Sequence, residues 1–199
     1  VTSQAPPRRN RQHRPRPVRR DAVRNYQKIL TAAREVLGEA GADATMEDIA
    51  SRAGVGVGTV YRRFASKDAL IDELLRLALA DIVSAAEGAL QRPDGRGLEE
   101  LLRAMGQSFA DHARYASLLL QRQTDPAAIR QISIAIGELT ARAAAASTVG
   151  PATTVGDINS LILAMRGLAA GEPDRQAWQR FLGVHLAGLR SAEAVSVAP

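Results

Sequence analysis

The chain has 199 residues, enough for one medium domain or two small ones around a substantial core. Hydrophobic residues make up 46% of it but aromatics only 4%, so Ala, Leu, Val and Ile must supply the packing, a balance that favours helix over strand. The net charge of +5 is uneven: residues 1–24 hold eight arginines against Asp21, a net +7, while the remainder carries 18 basic and 20 acidic side chains. Cysteine is absent, which excludes disulfides, thiolate zinc sites and cysteine nucleophiles and makes the cytoplasm the default location.

Residues 1–20 set Pro6, Pro7, Pro15 and Pro17 among the arginines and offer almost nothing to bury, so they read as a disordered basic arm. Such an arm is a common nucleic-acid feature, with Arg14, Arg16, Arg19 and Arg20 as its candidate DNA contacts. A solvated leader without a partner is the plain alternative. No charged-then-apolar leader and no long apolar run is present, so neither a signal peptide nor a membrane span is expected.

From Asp21 the pattern changes. Ile29, Ala33, Val36, Leu37 and Ala40 fall on one face of a helix, and Gly41 sits where a helix end wants positive φ. Thr45 suits the N-cap of a second, two-turn helix, with Glu47 and Asp48 in its first turn and Met46, Ile49, Ala50 and Ala53 inward. Gly54 stops it. A third short helix over 58–64 turns Val60 and Phe64 to the core, and Ser66 caps a long fourth helix over 67–90. Further helices are expected over 98–112, 114–121, 126–147, 155–170 and 174–191, broken at Pro126, Gly150–Pro151 and Gly171–Pro173. With no period-2 alternation anywhere, the expected fold class is all-α, about nine helices in total.

The stretch "GVGVGTVYRRFASKDAL", residues 54–70, carries the functional signal. Its glycines resemble a phosphate-cradling loop, but such a loop follows a strand, and here a capped amphipathic helix precedes it. Two short helices joined by a glycine turn fit a helix-turn-helix instead. In the second of them Val60 and Phe64 anchor the core, leaving Thr59, Tyr61, Arg62 and Arg63 to project outward. Hydroxyls suit phosphate oxygens, arginine can bridge the O6 and N7 edge of guanine, and Gly58 permits close approach to the groove.

Over residues 22–75, and most clearly in "TMEDIASRAGVGVGTVYRRFASKDAL", the chain resembles the DNA-binding domain of the tetracycline-repressor (TetR) family. The resemblance implies an all-α homodimer with an N-terminal three-helix DNA-binding domain and a C-terminal helical domain for effector binding and dimerisation. The implied division is an arm over 1–20, a helix-turn-helix domain over 21–66 and a helical domain over 67–199. The resemblance also assigns roles. Thr45 would touch phosphate, Val57, Gly58 and Thr59 would face the groove, and Tyr61 would contact backbone. Arg62 and Arg63 would meet bases or phosphate, and Lys67 would hold a phosphate at a helix N-terminus. Gly56 and Val57 depart from the family's usual serine and polar residue, which shifts readout toward the arginines.

Beyond residue 90 only the helical layout resembles the family. Met105, Phe109, His112, Tyr115 and Met165 are candidates to line an effector pocket, with plain core as the competing reading. The helices over 155–170 and 174–191 are apolar over more than one face, through Ile158, Leu161 and Ile162, then Trp178, Phe181, Leu182, His185 and Leu189. That excess suits the dimer interface the resemblance implies. No nucleophile–base pair and no metal-spaced cluster is legible, so no catalytic residue, metal site or cofactor is expected. The expected function is a sequence-specific transcriptional regulator binding double-stranded operator DNA, a repressor released by a small-molecule effector, with no membrane partner. The alternative is a non-specific nucleic-acid-binding or architectural protein that uses the basic arm.

Overall fold

The computed structural model describes residues 18–171 and 176–191. Within them the chain forms nine α-helices: α1 (Val18–Ala40), α2 (Met46–Ala53), α3 (Val57–Arg63), α4 (Lys67–Leu90), α5 (Gly97–His112), α6 (Ala116–Leu120), α7 (Pro126–Ala145), α8 (Val155–Ala170) and α9 (Ala177–Ser191). Two 3-10 turns, Gly41–Asp43 and Ala113–Tyr115, follow α1 and α5, and no strand occurs among the described residues. The fold is all-α. Arg14 and Arg16 of the expected arm lie outside the described residues. Helix α1 is described from Val18, so Arg19 and Arg20 continue a helix where an irregular arm is expected.

The helix ends follow from local chemistry. At α2 the Asp48 amide donates to Thr45 Oγ1 (3.1 Å) while the Thr45 amide donates to Asp48 Oδ2 (3.2 Å), a reciprocal capping box. Gly54 closes that helix at φ 64°, a left-handed conformation that a side chain would strain. Ser66 caps α4 by accepting from the Ala69 amide at 3.1 Å. Ala40, expected on the inner face of α1, is exposed, because the chain turns away there through Gly41 at φ 57°.

Two apolar clusters hold these helices together. The first joins Ile29, Leu30, Ala33 and Leu37 of α1 to Ile49 of α2, to Val60 and Phe64, and to Leu70 and Leu74 of α4. The second joins Ile82 and Ala86 of α4 to residues of α5, α7, α8 and α9. Helix α4 therefore belongs to both. Tyr115 also packs in the first cluster, although it follows α5 in the chain, and its 3-10 turn lies against α1.

Candidate nucleic-acid interface

The placement of α3 depends on a few groups. Gly54 provides the left-handed turn, the Val55 amide closes onto the Ala50 carbonyl (3.1 Å), and Val60, fully buried, pins the short helix to the core. With Val60 and Phe64 inward, Val57, Gly58, Tyr61, Arg62 and Arg63 are exposed and Thr59 is half-buried. Of the three glycines in the turn, only Gly54 has positive φ. Gly56 sits at φ −66° and ψ 140°, and a Cβ on Gly56 or Gly58 would meet nothing within 4 Å. Nothing inside the described chain requires those two glycines.

The polar side chains are not equally available. Arg62 folds back along its own helix, donating from Nε to the Gly58 carbonyl (3.1 Å) and from Nη2 to Thr59 Oγ1 (3.2 Å). The Arg63 guanidinium lies 4.5 Å from the centroid of the Tyr26 ring. Thr45 is engaged with Asp48, whose carboxyl is held below the ordinary 3.8 first by the Thr45 hydroxyl and then by the Thr45 amide. Lys67 donates from Nζ to the carbonyls of Ala42 (2.5 Å) and Ala44 (2.9 Å), tying the start of α4 to the α1–α2 connection. Arg52 is spent on Glu35 (3.1 Å) and Glu39 (2.7 Å) of α1. Arg62 and Arg63 are the α2–α3 arginines that enter no ion pair among the described residues.

One residue that sequence reasoning missed sits behind this surface. Tyr26 of α1 stacks on Phe64 (centroids 6.0 Å apart, 23° between planes) and donates its hydroxyl to Glu73 of α4. The Glu73 carboxyl is drawn down to about 2, first by the Arg76 guanidinium that bonds it and further by the Tyr26 hydroxyl. Burial, and then the bond to Glu73, push the Tyr26 phenol above its ordinary 10. The available signal was spacing: Tyr26 lies three residues before Ile29 and four before Leu30, extending the buried stripe of α1 upward.

The remaining candidates separate. Met105 and Met165 are buried in the second cluster, with Phe109 packed against it, whereas Tyr115 belongs to the first. The expected pocket residues are thus divided between the two clusters. His112 is half-buried, donates from Nδ1 to the Ser108 carbonyl (2.5 Å) and meets Tyr115 edge-on at 5.7 Å. Of the expected interface set, Ile158, Leu161, Trp178 and Leu182 are buried in the chain's own core. Trp178 packs closely on Gly106, where a Cβ would fall 2.3 Å from two atoms of its ring; Ile158, Leu161 and Leu182 lie in the same apolar cluster. Ile162, Phe181 and Leu189 are half-buried against that core, and His185 is exposed with its ring 3.8 Å from that of Phe181. No helix among the described residues is long and apolar enough to cross a membrane.

Known proteins share this arrangement. The family model for bacterial regulatory proteins of the tetR family matches residues 29–74, from α1 through the start of α4. The HTH-type transcriptional regulator YvdT of Bacillus subtilis (strain 168) is 42% identical over 66 residues, 33% of this chain and 34% of that protein. The regulator SAR0097 of Staphylococcus aureus (strain MRSA252) is 47% identical over 60 residues, 29% of this chain and 31% of that one. The chain thus spans about a third of the length of these relatives in each match. The crystal structure of a TetR transcription regulatory protein from Mycobacterium vanbaalenii extends the likeness: 31% identity over 87% of this chain and 99% of that one, with a TM-score of 0.64. The chain belongs to the TetR family. TetR regulator SCO0520 from Streptomyces coelicolor is similar at 29% identity over 82% of this chain and 97% of that chain, again with a TM-score of 0.64. As a TetR-family member the protein is a helix-turn-helix transcriptional regulator.

Proposed function

We propose that this regulator is a homodimeric repressor that occupies an operator in duplex DNA and leaves it when a small molecule binds its C-terminal helices. The observation that carries the reading is the exposed face of α3. Two arginines without carboxylate partners, Tyr61 and Thr59 share it with glycines that the chain itself does not need. The division of labour is an arm over residues 1–20, a DNA-binding unit over 21–66 and an effector and dimer unit over 67–199, all in the cytoplasm with the DNA. Val57, Gly58 and Thr59 would enter the major groove with Arg62 on a base edge, since the N-terminal part of such a helix meets the bases. Thr45 and Lys67 already hold partners in the free chain, so phosphate contact by either would exchange or share an internal bond. Arg14, Arg16, Arg19 and Arg20 would add sequence-independent attraction to phosphate.

The dimer surface would use the outer faces of α8 and α9. Leu163 and Val184 are 60% and 69% exposed there. Gly167 and Gly188, each four residues further along the same helix face, would meet nothing within 4 Å if given a Cβ. Small residues beside bare Leu and Val leave room for a second copy to approach. An effector would enter the second core near Met105, Phe109 and Met165, by moving the Trp178 ring off Gly106, because the core is closely filled at that point. Trp178 is the only tryptophan, so its fluorescence reports such an event directly.

A competition gel shift tests the DNA reading. The intergenic duplex beside the protein's own gene, labelled, should stay bound under a large excess of random-sequence duplex. Equal displacement by random and specific competitor would favour the alternative of a non-specific binder acting through its basic arm.

A further inference from the structure

Three helices converge on the ring of Tyr26. It stacks on Phe64, which is 6% exposed, and its hydroxyl bonds Glu73, whose carboxylate is gripped by Arg76 from Nε (2.6 Å) and Nη2 (2.8 Å). A ring fixed at its face and at its tip cannot swing away. On it rests the Arg63 guanidinium, 4.5 Å from the centroid and inside the range of cation–π attraction, about 6 Å. Arg63 is exposed, and among the described residues it enters no ion pair, in contrast to Arg52, Arg76 and Arg122. Its charge is ordered, with the Glu73 carboxylate near enough to attract it but not paired with it. With five N–H donors in a planar fork, the exposed guanidinium can bond an oxyanion as well as the Tyr26 hydroxyl. Arg63 is the last residue of α3 and lies against α1, away from the N-terminal residues that a recognition helix presents to base edges.

We propose that Tyr26 is a positioning residue that holds Arg63 as a preordered fork for a DNA backbone phosphate, not as a reader of bases. The inference rests on α3 being the DNA-facing helix. Preordering removes part of the side-chain entropy that a free arginine would lose on binding.

The test uses the full-length protein and a labelled random-sequence duplex, with affinity measured by fluorescence anisotropy across a salt series. Arg63→Ala should flatten the slope of log affinity against log salt by about 0.9, the value of one phosphate contact. Tyr26→Leu should weaken binding roughly two- to fivefold, while Tyr26→Phe, which keeps the ring but loses the bond at its tip, should lose less than Tyr26→Leu. In the Arg63→Ala background Tyr26→Leu should cost no further affinity, although any loss in thermal midpoint should persist there. That separation distinguishes positioning from a structural role. Arg63→Lys, which keeps charge but not the planar fork, should weaken binding with the slope unchanged, and it decides the matter should Tyr26→Leu fail to fold. Additive losses for Tyr26→Leu and Arg63→Ala, an unaltered slope for Arg63→Ala, or full affinity for Arg63→Lys would each overturn the proposal. No duplex binding by the unaltered protein would overturn both the proposal and the DNA reading of α3, whereas binding without coupling sinks only the role of Tyr26.

Discussion

Gly58 is exposed one residue into α3, and a Cβ there would meet nothing within 4 Å. A glycine inside a helix costs roughly 0.5–1 kcal/mol relative to alanine, so within the isolated chain it is a loss without internal compensation. Gly106 shows the opposite case, because Trp178 occupies the space its side chain would need. Gly58→Ala should therefore raise the thermal midpoint by about 2–4 °C and weaken operator binding through a crowded groove contact. A variant that is more stable and binds operator fully would show that the glycine keeps no room for DNA. The stretch GVGVG could not reveal this difference by itself. Its glycines are identical as letters, and all three have open space around them, so only the positive φ at Gly54 separates them.

At the scale of elements, α4 decides how the two clusters communicate, since Leu70 and Leu74 lie in one and Ile82 and Ala86 in the other. Its first two turns are also clamped from the side. Arg122, just after α6, reaches Asp72 from Nε (2.6 Å) and Nη2 (3.0 Å) and Asp68 from Nη1 (3.0 Å). A bidentate guanidinium bridging two carboxylates restrains the helix more than an isolated surface pair would. Arg122→Ala should lower the thermal midpoint by about 2–4 °C and speed amide exchange in the first turn of α4 more than in α7. Uniform exchange across both helices would mean that the clamp does not restrain α4. Helices announced by local chemistry, such as α2 with its Thr45–Asp48 box and α4 with its Ser66 cap, were legible in the sequence to within a residue or two. The segment over 114–121 was not. It is a 3-10 turn followed by five helical residues, and Tyr115 joins the distant core of α1 and α2, a contact that periodicity along one helix cannot express. The stripes of α8 and α9 are taken up only in part within the chain: Trp178 packs on Gly106 of α5, while Leu163 and Val184 stay exposed.

For the whole molecule the open quantities are copy number and DNA geometry. Leu163→Glu and Val184→Glu alter side chains that are exposed in the single chain, so each should fold with little change in stability. Light scattering should then give the monomer mass for the double variant and twice that mass for the unaltered protein; a dimer in both would place the contact elsewhere. Two copies joined through α8 and α9 would carry two α3 helices, whose separation fixes which DNA they can read. Selection of bound duplexes from a randomised pool tests that account most directly. It should return an inverted repeat with half-site centres about 34–36 Å apart, or a multiple of that. The same selection with Arg62→Ala should relax one symmetric base position, a loss of roughly 1–3 kcal/mol in discrimination. A pool that emerges without a shared sequence, bound as tightly as it began, would contradict the assignment of α3 as the element that reads DNA.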